Sequence, residues 1–410
     1  MSARAPGYRV RPSLALGLAG FCTSISWQVM VPVVPLYLAQ LGYSAAAIGV
    51  LIGLFSVAMA ITELQAGVIA GAIGRRGALL AGYIVHALCL NLTAAARAPG
   101  LVAWSLAAVG AARGIAVPPL HATVADSAGA EARGRAFATF WLWSSFAALT
   151  GPAIGGFVAA HYGYRMPFFL ASLFSVAALI SVAVVARPAP RSTSAGESRP
   201  PGPSAGSLSA LLADPTVARL GISILLCYSI AGIWTTFLPL YAAHRGVPVQ
   251  TIGLIFALQG GTYAAMQLPT GRLISVERGR WMVLAGIGGM TAVVLAVPLA
   301  HAAPPLFAAG VLYGAAAGLM PVTFATLVTW RAPAGGYTAA MSVYNAAIDF
   351  GLFAGPLLGA AAARLDIAGP FLLALPLGLV AVVMSLRTAH GLPAAAPDAA
   401  SVAGGAPGGQ

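Results

Sequence analysis

A stretch near the start of the chain returns 204 residues later. Pro35, Leu36, Tyr37, Gly42, Ile48 and Gly49 recur as Pro239, Leu240, Tyr241, Gly246, Ile252 and Gly253. The same offset relates Gly67 to Gly271, Arg76 to Arg280, Gly114 to Gly318, Gly151-Pro152 to Gly355-Pro356 and Gly155 to Gly359. One register held over so many positions means two halves of equal build, with loops of nearly equal length. The content of the halves says where they fold. Of 410 residues, 59% are hydrophobic and 7% charged, and the mean hydropathy is +0.89. A soluble domain carries about a quarter charged residues, so these halves belong in a bilayer. A helix needs about 20 apolar residues to cross one. The chain supplies twelve such stretches: 14–38, 45–68, 78–96, 101–124, 136–160 and 166–186, then 216–243, 250–274, 281–301, 304–330, 338–363 and 369–387. The expected fold class is an all-α membrane protein of twelve transmembrane helices in two parallel six-helix repeats. An even number of spans per half leaves both halves the same way up, related by an axis along the membrane normal.

Charge gives the orientation. The chain has no Lys, and its 21 basic residues are all Arg, for a net charge of +12. With the amino terminus inside, sixteen of them fall at the cytoplasmic ends of the spans. Arg97, Arg165, Arg245 and Arg364 fall outside, and Arg113 lies within a span. That is the positive-inside bias, and it places both termini in the cytoplasm. A nucleic-acid partner is excluded, because its footprint would gather the charge on one soluble face. Residues 187–213 alternate Pro with Ser and Gly and read as a linker. The expected division is a first half over 1–186, the linker 187–213, a second half over 214–390 and a disordered tail over 391–410. The first apolar stretch is too long for a cleavable signal, and the Arg-only, Ala- and Gly-rich usage points to a bacterial inner-membrane protein. Cys22, Cys89 and Cys227 sit singly in apolar runs and make no disulfide framework.

Four stretches carry a family resemblance. They are Val34-Pro35-Leu36-Tyr37 with Leu41-Gly42, the segment from Gly67 to Arg76, Arg113-Gly114, and Gly151-Pro152-Ala153-Ile154-Gly155-Gly156. In this order and in these spans they resemble the major facilitator superfamily of transporters, in particular its twelve-span drug/proton antiporter branch. The resemblance implies two halves that rock about a central site, with a small-molecule substrate and protons as partners, the bilayer as solvent, no cofactor and a monomeric state.

It also implies roles. Gly67, Gly74, Arg75 and Arg76 stand at positions of the family's loop motif, which locks the halves. The motif's acid is replaced by Gly71, and by Ser275 in the second copy. That leaves Arg75 or Arg76 either to pair with Asp126 or to serve only as an interfacial anchor. Gly151, Pro152, Gly155 and Gly156 match the motif associated with antiporters, and Gly355 and Pro356 repeat it. Gly there admits a neighbouring helix, and Pro removes a backbone donor.

Ionisable side chains inside a membrane are costly and default to functional candidates. Asp349 leads, because Asn345, Asp349 and Pro356 share one helical face. The repeat maps that face onto Trp141, Ser145 and Pro152, so the acid is particular to the second half. A carboxyl there can load and release protons, unless it only packs helices. Glu63 reads either as a second proton site or gate partner, or as a snorkelling residue. Arg113 resembles the family's span-4 arginine and needs a counter-charge or carbonyls. A substrate cavity is expected from Trp27, Gln28, Trp141, Trp234, Gln259, Tyr263, Tyr344 and Asn345. Tyr37 and Tyr241 are expected as packing or interfacial-belt residues.

Proton-coupled efflux of a small organic or drug-like compound is the leading expectation, and uptake symport of a sugar or organic acid is the alternative. A transport-dead receptor would bind without flux. An enzyme would need a nucleophile, base and oxyanion site that no motif here organises. No Cys/His spacing marks a metal site, and the chain has no phosphate-binding Gly-Lys loop.

Overall fold

The computed structural model describes residues 10–126, 133–185, 213–330 and 337–388. The expected linker, but for Ala213, and the tail 391–410 lie outside these residues. In chain order the helices are α1 (Val10–Gln28), α2 (Val33–Gln40), α3 (Ala45–Ala95), α4 (Pro99–Asp126), α5 (Arg133–Tyr162) and α6 (Met166–Val185). The second half follows with α7 (Pro215–His244), α8 (Val249–Leu273), α9 (Val276–Ala296), α10 (Ala303–Gly318), α11 (Met320–Thr329), α12 (Tyr337–Ala362), α13 (Gly369–Leu372) and α14 (Ala374–Thr388). No strand occurs among the described residues.

Ten helical stretches are long and apolar enough to cross a membrane, and α3, 51 residues long, is two spans joined at Gly74. Gly74 has φ 78° and ψ 152°, a left-handed conformation that costs glycine nothing and turns the chain between its two arms. The twelfth span is α8. Its glutamines and threonines lower its hydropathy, but α5 and α10 pack along it. Large apolar side chains such as Leu64, Val68, Trp104, Leu268 and Leu299 are more than half exposed, the surface expected of a lipid-facing bundle.

Three spans expected as single helices are broken, each beside a proline. Residues 29–32 form turns between α1 and α2, next to Pro32 and Pro35. Leu319 interrupts the span ahead of Pro321, and Leu373 interrupts the last ahead of Pro376. Proline cannot donate to the carbonyl one turn back. The repeat is unequal at the first break: the counterpart of Pro32 is Thr236, and α7 runs on unbroken.

At the turns and tyrosines near the first spans the repeat holds closely. Gly42 and Gly246 have φ 87° and 77° at equivalent turns. Tyr37 donates its hydroxyl to the Thr93 and Ala94 carbonyls at 2.9 and 3.3 Å, and Tyr241 to those of Pro298 and Ala300 at 2.8 and 3.4 Å. Ala94 and Pro298 are themselves 204 residues apart. Both rings are fully buried, at 1% and 0% exposure, so of the two expected roles they take packing and not the interfacial belt. Each is a strut that satisfies carbonyls at the end of a neighbouring span. Tyr37→Phe should therefore lower stability by about 1 kcal/mol, the net worth of such a bond. Thermal unfolding in detergent measures it, and an unchanged midpoint would refute the strut.

Candidate substrate cavity and coupling residues

The halves meet along two lines. In one, α5 lies against α8: a Cβ on Gly156 would fall 2.7 Å from the Val249 carbonyl, and one on Gly253 would collide with the Pro152 carbonyl. In the other, the first arm of α3 lies against α12: a Cβ on Gly49 would stand 2.6 Å from the Pro356 carbonyl and 2.9 Å from Ala360. Gly49 and Gly253 are repeat partners, so the two contacts are one contact made twice. Gly151 and Gly155 face the other way, against Gln28 and Val29 of α1 and the turn after it, and Gly355 faces Ser229 and Gly232 of α7. The motif glycines thus hold each central helix both to its own half and to the opposite one, by close backbone approach.

These crossings lie toward the end of the bundle that carries the 41–44 and 245–248 turns. Toward the opposite end, Trp141 and Asn345 are exposed on equivalent positions of α5 and α12. The cleft between the halves therefore opens away from the glycine contacts.

Midway along the spans is a cavity of about 220 Å³. Its walls come from α1, the 29–32 turn, α2, α3, α4 and α5 of the first half and from α7, α8 and α12 of the second. Trp27 stacks flat on Phe55, with centroids 4.9 Å apart and planes at 8°. Gln28, Thr235, Thr236 and Gln259 supply its polar side chains, and no ionisable residue lines it. Of the expected cavity residues, Trp27, Gln28 and Gln259 are in this wall. Trp234 is behind it, 0% exposed, stacked on Tyr313 at 4.1 Å, and its Nε1 donates to Gln259 Oε1 at 2.8 Å. Tyr263 lies near Tyr228 and Tyr344, the last of which donates to the Pro321 carbonyl at 3.3 Å. Trp141 leans on His121 and Phe140. Trp141, Trp234, Tyr263, Tyr344 and Asn345 do not line this cavity. Thr236 and Phe256 do, although the sequence reasoning did not select them. Phe256 carries no signal of its own; Thr236 stands where the other half has Pro32.

The charged residues form a chain across the interface. Gly114 lets α4 cross α3 so closely that a Cβ there would strike Thr62 and the Met59 carbonyl and come within 3.0 Å of the Glu63 amide nitrogen. This crossing seats Arg113 beside Glu63, near enough for each to feel the other's charge, and Glu63 in turn stands within electrostatic reach of Asp349. Among the described residues none of the three has an ion-pair partner within 4 Å. The Arg113 guanidinium carbon lies 5.3 Å from the centroid of the Trp27 ring. Behind it is a polar nest: Thr23 Oγ1 and Tyr83 Oη are 2.6 Å apart, and His86 Nδ1 and Ser175 Oγ are 3.1 Å apart. Neutral dipoles thus surround the guanidinium. Arg113→Lys should abolish coupled flux without loss of protein, since a buried ammonium sheds its proton where a guanidinium does not. Wild-type flux in that variant would refute this.

At the loop motif, Gly67, Arg75 and Arg76 are exposed, and Arg76 Nη2 donates to the Ala183 carbonyl at 3.4 Å. Asp126 closes α4, with its side chain outside the described residues. In the second copy Ser275, at the acid position, caps α9 by accepting the Arg278 amide at 3.2 Å.

A profile of the Major Facilitator Superfamily matches residues 16–250 and 220–405. The chain belongs to this superfamily. It is a membrane transporter and not an enzyme. Its relatives in the superfamily include the quinolone resistance protein NorA of Staphylococcus aureus (strain MRSA252), 25% identical over 168 residues, which are 41% of this chain and 43% of that protein. Multidrug resistance protein 2 of Bacillus subtilis (strain 168) is 27% identical over 158 residues, 38% of this chain and 39% of that one. These matches span less than half the length of either relative. Among solved structures, the nucleoside transporter NupG superposes with a TM-score of 0.77 at 12% identity, covering 92% of this chain and 98% of its own. An inward-facing bacterial homologue of the lysosomal transporter Spinster gives 0.71 at 15% identity, covering 94% of each chain. At such identities the superpositions show the superfamily fold alone.

Proposed function

We propose that this superfamily member is a proton-coupled exporter of small, largely apolar organic molecules, working by alternating access. One observation carries the reading: a cavity without charged groups lies between the halves, and two carboxyls within the spans, Glu63 and Asp349, come from opposite halves, with Asp349 in reach of the Glu63 charge. Protonation changes the charge between the halves and so biases which end is closed. A lipophilic cargo fits walls of Trp27, Phe55 and Phe256 with a few polar points. Two drug-resistance relatives support export. The arginine distribution supports cytoplasmic termini, and with that orientation the cleft faces the cytoplasm, from which an exporter loads. The protein acts as a monomer in a bacterial inner membrane, with Gly67, Gly74, Arg75, Arg76 and Asp126 at the loading end.

The test uses inverted membrane vesicles holding an acid-inside gradient, read with a pH-sensitive dye. Lipophilic aromatic compounds should collapse the gradient, and sugars should not. A response to sugars or organic acids alone would replace export by uptake symport. Silence toward the lipophilic compounds would overturn the proposal.

A further inference from the structure

The cavity wall carries hydrogen-bonding capacity that the protein leaves unused, and its direction is fixed. An indole N–H can only donate. The atom of Gln259 that receives Trp234 Nε1 at 2.8 Å is therefore the amide oxygen. Trp234 cannot turn away, because it is fully buried and stacked on Tyr313. Gln259 is thus held with its NH2 group toward the cavity it lines, and nothing among the described residues accepts from it. Beside it, the Thr236 hydroxyl is enclosed and has no partner at all, while its neighbour Thr235 is satisfied by the Ala231 carbonyl at 3.0 Å. The Gln259 amide is part-buried and its NH2 can only donate, so it is the wall's fixed donor and is complemented by a group that accepts a hydrogen bond.

The opposite wall is different in kind. The repeat partner of Gln259 is Phe55, and that of Thr236 is Pro32. The first half offers the Trp27–Phe55 stack with Gln28 beside it, and the second half offers Gln259 and Phe256. A ligand whose ring lies against the Trp27–Phe55 pair can place an acceptor on the Gln259 amide. No ionised group lines the cavity, so the acceptor that fits is uncharged.

We propose that Gln259, held by Trp234, selects flat ring compounds that carry an uncharged hydrogen-bond acceptor such as a ring carbonyl. The selection rests on the export reading for its cargo, but its test does not. Fluorenone and fluorene have one skeleton and differ by a carbonyl in place of a CH2. Their binding is measured by equilibrium dialysis against the full chain in lipid nanodiscs, with protein-free discs as background. The wild type should bind fluorenone about tenfold more tightly, the worth of a good neutral hydrogen bond. Gln259→Leu should weaken fluorenone alone and bring the two to parity. Gln259→Met, which keeps the length and removes the amide, should also close the gap, and it serves if the first variant does not fold. Trp234→Phe frees the amide to turn over and should also shrink the preference.

Absence of binding by either compound, no preference in the wild type, or an equal loss of both in Gln259→Leu would overturn the proposal. Binding needs neither a proton gradient nor a direction of transport. Loss of the preference leaves export standing; a preference in a protein that gives no dye response removes export and keeps the site.

Discussion

Asp349→Asn should yield a protein that inserts, binds its cargo and moves no protons with it. Asparagine keeps the shape of the carboxyl and its hydrogen-bonding reach, but it cannot take up or release a proton. Asp349 sits on α12 one turn from Leu352 of the cavity wall and within electrostatic reach of Glu63 on the other half. Substrate-driven proton movement in vesicles should fall to background, while exchange of labelled for unlabelled cargo, which needs no net proton transfer, persists. Glu63→Gln should reduce coupling less, because Glu63 remains offset by the nearby Arg113. Unaltered proton movement in Asp349→Asn would refute the coupling role. Loss of exchange as well as coupling would recast Asp349 as a packing residue.

The second large effect belongs to Gly253→Leu. The space for a side chain there is occupied by the Pro152 carbonyl and by Gly156, both backbone, which cannot move aside without parting the helices. Overpacking costs about 1–3 kcal/mol, and a shift of that size changes a two-state balance about 5- to 150-fold. The variant should favour the state in which α5 and α8 are apart and the cavity opens toward the 41–44 and 245–248 turns. A cysteine at Leu352 then becomes reactive to maleimide from that side, and the native thiols do not interfere, because Cys22, Cys89 and Cys227 are buried. Transport should fall correspondingly. Wild-type turnover with unchanged labelling would show that the contact does not gate.

What could be read from the sequence was whatever depends on composition and register. The twelve spans lie within a few residues of their expected ends, because an apolar run of membrane length has few alternatives. The 204-residue offset paired Gly49 with Gly253 and Pro152 with Pro356, but only the structure shows Gly49 against Pro356 and Gly253 against Pro152. The breaks at 29–32, 319 and 373 were hidden, since proline in an apolar run scarcely changes its hydropathy. Only three of the eight expected cavity residues line the cavity, for a rotational reason. Trp234 and Gln259 both look like lining residues, but in the structure one turns inward to hold the other. Tyr37 and Tyr241 looked like packing or belt residues because an aromatic near a span end usually is one or the other; only the structure shows carbonyls waiting for their hydroxyls.

The doubled glycine contact has a mechanical corollary. Its two copies lie on opposite sides of the axis that relates the halves. If only one let go, the other would become a hinge, and the halves would part as a wedge, wet along one flank. Bodies as stiff as six packed helices do not bend to permit that, so both copies release in the same event. Under the proposed alternating access, two weak latches placed by duplication would thereby act as a single all-or-none gate, with no wire running between them.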